Sequence, residues 1–384
     1  TGAPGTGKTA MVKALLDVFV QAGYRVRLAA PTGRAAQRLK EVTGHLAQTL
    51  HRMLRANRPE ARSIWNYIFP VSDIIIVDEA SMIDVFLMVR LIKACSSSTK
   101  LILVGDVHQL PSIGAGQVLF DLIESGMIPA VELRTNYRQM NGSRIIDAAE
   151  AIKEGCLPDL PAPGEMKSDC YFIEAETATE IGRLIVKAAT KSLPARCGAD
   201  PNQNIQVLTP KHRGLLGTIS LNEQIQMGLR NSDLEPCTSA HPFLPGDRVL
   251  HTKNNYRLNV FNGQCGSVQD ATNDGLTVRF GERVVAYSRT SLFQLTHGFA
   301  ISVHRCQGSE YPFVIIPIHE TQFPMLSREL LYTALTRGQQ MVVLIGSRSA
   351  LETAIENTVR GKLHTGLKQA VVKAMASKLN TRAT

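Results

Sequence analysis

No two cysteines in this chain stand in a C-x-x-C spacing. The seven that occur, at positions 95, 156, 170, 197, 237, 265 and 306, are scattered. That pattern argues against a zinc site and against a disulfide framework. It fits a reducing cytosol, so a cytoplasmic protein is expected. No run of about 18 apolar residues occurs, which argues against a membrane span. No signal peptide is expected, since none precedes the P-loop in this sequence. Internal repeats and low-complexity segments are missing as well. Acidic charge is in deficit: 33 Asp and Glu face 42 Lys and Arg, a formal charge of +9. An excess of this sign suggests a polyanionic partner, with ordinary solubility charge as the plainer reading.

What is present begins at once. Gly2-Ala-Pro-Gly5-Thr-Gly7-Lys8-Thr9 has the form G-x-x-x-x-G-K-[ST]. This is a P-loop, whose glycines let backbone N–H groups curl round phosphate oxygens at a helix N-terminus. Gly2, Gly5 and Gly7 are the candidate cradle. Lys8 is expected to reach the β- and γ-phosphates and Thr9 to ligate Mg²⁺. ATP and Mg²⁺ are the expected cofactors. A P-loop joins a strand to a helix, yet here neither a methionine nor a strand precedes it. The chain is therefore expected to be a fragment of a longer product. The strands ending at Val77 and Val104 are expected to lose ladder partners and the P-loop an anchor.

With 384 residues, 44% of them hydrophobic, about two or three domains are expected. Helical spacing over 10–22 is followed by a strand over Arg25–Ala30, a turn at Pro31–Ala36, and a second helix. Ile74–Val77 and Lys100–Val104 read as buried parallel strands. Strands alternating with helices imply an α/β fold with a parallel sheet covered by helices. A second α/β region begins at Ile205. Residues 246–296 change character, with turn signals at Asn262-Gly263 and Asn273-Asp274-Gly275, and read as a small β-barrel. Met53–Pro70, with the only tryptophan, Trp65, reads as a β-hairpin. The division expected is 1–137 for a first domain, 138–245 with 297–357 for a second, and 246–296 for a barrel inserted in the second. A tail at 358–384 carries six Lys/Arg and no Asp/Glu.

Asp78-Glu79 ends an apolar strand about 70 residues after the P-loop. Asp78 is expected to hold Mg²⁺ and Glu79 to activate the attacking water. Gly105–Pro111 ends the next strand, and Gln109 is placed to sense the γ-phosphate. Phosphoryl transfer needs positive charge as well. Arg138, in Asn136-Tyr137-Arg138-Gln139, and Arg337, in Tyr332–Arg337, are candidate arginine fingers. Either one taken alone reads more readily as a surface salt bridge, since the chain has many arginines. No second carboxylate-rich cluster suggests a nuclease.

Taken in order, Gly2–Thr9, Ala30–Ala36, Asp78–Ser81, Gly105–Pro111, Asn136–Gln139, His297–Tyr311 and Tyr332–Arg337 resemble the motifs of superfamily 1 helicases. Thr209-Pro210, Gly246–Val249 and His297–His304 point to the RecD-like branch. The resemblance implies two RecA-like P-loop NTPase domains with a small β-barrel inserted in the second. It implies an ATP-dependent DNA helicase moving 5′→3′ on single-stranded DNA, acting at single-strand/duplex junctions in repair or recombination. Residues 53–70 would be the hairpin that splits the duplex. By analogy Pro31, Thr32, His51 and His304 lie on the DNA strand, although helix capping is the local alternative for Thr32 and His51. The helicase part of a conjugative relaxase has similar motifs, and an ATP-switched DNA-binding module without unwinding is a further alternative. Two departures stand out. Arg305-Cys306 replaces the family's frequent Lys-Ser or Lys-Thr, and the adenine-reading glutamine expected upstream of the P-loop is not in the chain.

Overall fold

The computed structural model describes residues 1–54, 72–136, 142–230, 242–255, 257–359 and 365–382. The chain divides into two units, Thr1–Met140 with Thr358–Thr384, and Asn141–Asn357. The expected hairpin falls mostly on 55–70, outside the described residues, and so does Arg138.

The first unit runs α1 (Lys8–Gln21), β1 (Val26–Ala30), α2 (Gly33–Thr43), β2 (Ala47–Thr49), α3 (Leu50–Met53), β3 (Ile74–Val77), α4 (Val85–Ala94), β4 (Lys100–Leu103) and α5 (Val118–Glu124). Its sheet has the order β2-β1-β3-β4, and every pairing is parallel. All four residues of β3 are buried. Successive side chains of a strand point to opposite faces, and the core divides accordingly. Ile74 and Ile76 join Val12 and Leu16 of α1, Leu28 and Leu39 on one face. Ile75 and Val77 join Leu87, Met88 and Leu91 of α4 and Leu119 of α5 on the other. Short polar side chains start the helices: Thr32 Oγ1 accepts from Ala35 N, and Asp84 Oδ1 from Leu87 N at 2.7 Å.

The second unit contains α6 (Arg144–Glu154), β5 (Cys170–Glu174), α7 (Ala178–Lys187), α8 (Leu193–Cys197), β6 (Ile205–Thr209) and α9 (Thr218–Leu229). After these come β7 (Arg248–His251), β8 (Cys265–Thr272), β9 (Gly275–Phe280), β10 (Arg283–Ser288) and β11 (Leu295–His297). β12 (Ala300–Ser302), β13 (Tyr311–Ile318), α10 (Arg328–Leu335), β14 (Gly338–Gly346) and α11 (Arg348–Glu356) complete it. Its parallel sheet has the order β12-β6-β13-β14-β5. Ile181 and Ile185 of α7 and Leu221 and Ile225 of α9 pack against it with Val207 and Ile315.

Strands β7–β11 form a separate antiparallel sheet, order β10-β9-β8-β7-β11, around Val249, Val268, Val278 and Phe280. A barrel is the expectation from the sequence. Among the described residues no ladder joins β10 to β11, and the sheet has its own core. The last helix, α12 (Leu367–Arg382), belongs to the first unit. Beside it Thr365 Oγ1 bonds Asp121 of α5, and Lys368 stands 3.4 Å from Glu124.

Candidate nucleotide and nucleic-acid site

In a parallel sheet, loops at the C-terminal ends of the strands gather on one edge, where ligands bind. In the first unit those loops carry the residues singled out above. The P-loop leads into α1. Gly5 and Gly7 have φ of 87° and 82°, a left-handed conformation that glycine adopts without strain. A Cβ on Gly2 would lie 2.6 Å from Thr6 Oγ1 and 2.8 Å from Leu133 O, so the first glycine is required by close packing. The front of the loop is held by a parallel bridge of Gly2 to Leu133, whose N–H donates to Thr1 O at 2.8 Å. Lys8 Nζ donates to Gly2 O and Ala3 O at 2.7 and 2.8 Å, spanning the loop from inside. Thr9 is half-buried at the helix start. Asn136 Nδ2 donates to Pro4 O at 3.0 Å, which brings the start of the Asn136–Gln139 motif to the P-loop.

Asp78 is buried at the end of β3, and Glu79 follows it half-buried. Burial, then the neighbouring Glu79 charge, pushes the Asp78 carboxyl up to about 6, while Lys8 and Arg38 of α2 pull the other way. Glu79 has φ 52° and ψ 40°, a left-handed backbone uncommon for a non-glycine residue and typical of places where a side chain is aimed at a task. The turn is fixed by Asp78 Oδ1 accepting from Glu79 N at 2.9 Å and by Ala80 N donating to Val104 O at 2.8 Å. Gly105 permits this: a Cβ there would press Leu119 and the Ala80 and Ser81 amides. Gln109 is 4% exposed, and its amide donates to Asp106 Oδ2 at 3.1 Å. Asp106, itself buried, also accepts from His108 N.

Three residues missed by sequence reasoning belong here. Asp106 positions Gln109, Arg38 sits within electrostatic reach of Asp78, and Asn136 ties a distant motif to the P-loop. The Gly-Asp-x-x-Gln spacing could have exposed the first. Nothing local marks Arg38 among the many arginines.

Residues 1–163 match the AAA domain family, 221–280 the ATP-dependent RecD-like DNA helicase SH3 domain, and 297–345 the UvrD-like helicase C-terminal domain. The chain is 34% identical to the RecBCD enzyme subunit RecD of Mycolicibacterium smegmatis, over 93% of this chain and 69% of that one. It belongs to the RecD-like helicase family. The ATP-dependent RecD2 DNA helicase of Deinococcus radiodurans is 38% identical over 92% of this chain, but the match spans only 47% of that protein. The chain thus covers about half the length of that relative. Among solved structures, the Pif1 helicase from Bacteroides in complex with ADP-AlF3 and ssDNA is similar at TM-score 0.55. It is 18% identical and covers 89% of this chain and 87% of that one, a likeness of fold.

In this RecD-like chain the other candidates lie as follows. Pro31 and Thr32 close β1, and His51 is exposed in α3, just beyond β2. Thr32 does cap α2, the local alternative raised by the sequence. His304 is half-buried in a short 3-10 turn after β12, and burial lowers its pKa, favouring a neutral ring. In the same turn Cys306 is buried, and its thiol donates to Val303 O at 3.0 Å, so a hydrogen-bonding group is kept where the family often has a hydroxyl. Arg305 is exposed. Arg337, just before β14, is 2% exposed, which excludes the surface salt-bridge reading. Its guanidinium donates to Thr333 O, Ser309 O and Thr336 Oγ1 at 3.0–3.3 Å. Among the described residues no carboxylate pairs with it.

Proposed function

We propose that the chain is an ATP-driven motor that moves 5′→3′ on single-stranded DNA and unwinds duplex DNA. One observation carries the reading. Lys8, the Asp78–Glu79 pair and the Asp106-held Gln109 lie at one end of a single parallel sheet, where the Lys8 charge partly offsets the rise that burial imposes on the Asp78 carboxyl. The cradle fits a nucleotide phosphate: two left-handed glycines, a glycine without room for a Cβ, and a helix N-terminus.

In this reading Gly2, Gly5, Gly7 and Lys8 hold the phosphates of ATP, and Thr9 and Asp78 hold Mg²⁺. The metal, when bound, neutralises charge on the phosphate oxygens. Glu79 orients a water and takes its proton. Asp106 fixes Gln109 so that its amide reports on the nucleotide. Arg138 and Arg337 supply positive charge to the transition state. Pro31, Thr32, His51 and His304 track the DNA strand through hydroxyl, imidazole and backbone groups. The basic balance of the chain suits that partner. The six described cysteines are free, which supports a reducing, cytoplasmic setting. Among the described residues no helix is long and apolar enough to cross a membrane.

The experiment compares ATPase with and without single-stranded DNA, and strand displacement of 5′-tailed and 3′-tailed duplexes. ATPase rises sharply with single strands, and only the 5′-tailed duplex is displaced. If about five phosphates are neutralised, the log–log salt slope of binding is near −3.5, at roughly −0.7 per contact. ATPase indifferent to DNA would sink the motor reading. DNA-stimulated ATPase without displacement of either duplex would leave an ATP-switched DNA-binding module.

A further inference from the structure

The antiparallel sheet β7–β11 is inserted between α9 and β12 of the parallel-sheet unit. Its two boundary strands, β7 and β11, pair with each other, His297 opposite Val249. The exit to β12 is only Gly298 and Phe299. Two adjacent chain crossings are the geometry of a hinge. Among the described residues the two apolar cores share no buried member.

Buried polar side chains span the joint. Arg248, 5% exposed, donates to Ile205 O at 2.8 Å at the start of β6, with its guanidinium 5.6 Å from the centre of the Tyr311 ring. Asp247, 8% exposed, accepts from Leu244 N and from Gln226 of α9. Its Oδ2 lies 3.3 Å from His297 Nε2. The His297 ring rests between Phe243 of one core and Phe299 of the other, centroids 4.8 and 6.1 Å away. One turn earlier on α9, on the same face as Gln226, Asn222 exchanges two bonds with the Ala300 backbone at 2.8 and 2.9 Å. Gln206 of β6 donates to the carbonyls of both linker residues, Gly298 and Phe299. Each contact is directional, and each spans the joint or fixes a strand that leaves it.

We propose that Asp247, Arg248 and His297, seated on Gln206, Asn222 and Gln226, weld the inserted sheet to the second parallel sheet, and that these are positioning residues for unwinding. The two sheets turn as one body. A movement of the parallel sheet driven by ATP is then delivered to whatever the inserted sheet touches, rather than lost in a hinge. The claim rests on the motor reading above. None of the three residues belongs to the phosphate site, so their loss separates strand displacement from hydrolysis.

The test uses the whole chain with Asp247→Ala and Arg248→Ala, and with Asp247→Asn and Arg248→Lys as conservative partners. Asn can keep an oxygen toward Gln226, and Lys can still reach a β6 carbonyl. In the alanine variants, amide hydrogen exchange over 242–251 and 295–302 accelerates at least about tenfold, while 311–318 and 338–346 exchange as in the wild type. The kcat of DNA-stimulated ATPase stays within about threefold and the strand-displacement rate falls at least about tenfold. The conservative variants recover most of the displacement. Unchanged exchange would remove the weld. Displacement at the wild-type rate despite faster exchange, or a parallel fall of both activities, would remove the positioning role. A wild type that hydrolyses ATP but displaces no strand defeats the motor reading and the positioning role together, while exchange still decides the weld.

Discussion

In the first unit the buried charge at the strand ends is titratable and negative. Asp78 sits in low dielectric beside Glu79, and its carboxyl is pushed up to about 6. In the second unit the buried charge before β14 is permanent and positive. Arg337 keeps its charge at any physiological pH, so it must be solvated by fixed dipoles, the carbonyls of Thr333 and Ser309. A carboxylate can answer burial by taking a proton, and a guanidinium cannot. The two sites therefore meet the cost of burial in different ways, Asp78 through its protonation and Arg337 through fixed carbonyl dipoles.

The largest effect that would break this contrast is on hydrolysis. Lys8→Ala abolishes ATP turnover and weakens nucleotide binding, whereas Glu79→Gln leaves binding near wild type and lowers kcat by roughly 10²–10⁴. Equal loss of affinity in the two, by titration with a nonhydrolysable analogue, would strip Glu79 of its role as base.

Next comes the permanent charge. Arg337→Ala lowers DNA-stimulated kcat by about 10³ with little change in analogue binding. Arg337→Lys keeps the charge without the planar fork and recovers part of the rate. Full ATPase in Arg337→Ala, with a normal melting curve, would make this guanidinium a structural group only.

The titratable charge makes a prediction of opposite sign for stability. A carboxyl whose folded pKa lies above its unfolded value of about 3.9 destabilises the fold once it ionises. The penalty is absent below pH 4, grows as pH rises, and is complete above about pH 6. Asp78→Asn removes it and stabilises the nucleotide-free, metal-free protein by about 1–3 kcal/mol at pH 8, with no gain at pH 4. A flat difference across that range, by denaturant melts at each pH, would show that burial does not set the Asp78 carboxyl.

The smallest effect concerns Thr32, which caps α2 in the first unit. Thr32→Ala costs about 1 kcal/mol of stability, and Thr32→Ser restores it. Should single-strand affinity follow the cap alone, falling with Ala and returning with Ser in step with stability, Thr32 acts by shaping the loop.

Much of the layout of the candidate site was legible because its information is local. Glycine at fixed spacing, a lysine opening a helix, and a carboxylate pair after Ile74–Val77 each describe one strand–turn–helix unit. The parallel sheets followed from the alternation of short apolar runs with helical spacing, and all four β3 residues are buried. The inserted module was legible as a change of composition, but its strand order was not, since that depends on which edges meet. Arg337 illustrates the limit well. Its motif drew attention to it, yet a surface ion pair and a fully buried guanidinium look the same in one dimension.

By itself the sequence determined the family, the P-loop motif and the alternation of strands and helices, because periodicity and motif spacing act over a few residues. Only the tertiary structure decided which distant groups meet. It turned Glu79 into a left-handed conformation, set Asp106 behind Gln109, and brought Asn136 to the P-loop carbonyl of Pro4. It also placed Asp247 and His297, fifty residues apart, on one side of a two-residue joint. Such contacts are chosen by how whole faces pack, a property of the folded surface that no local pattern carries.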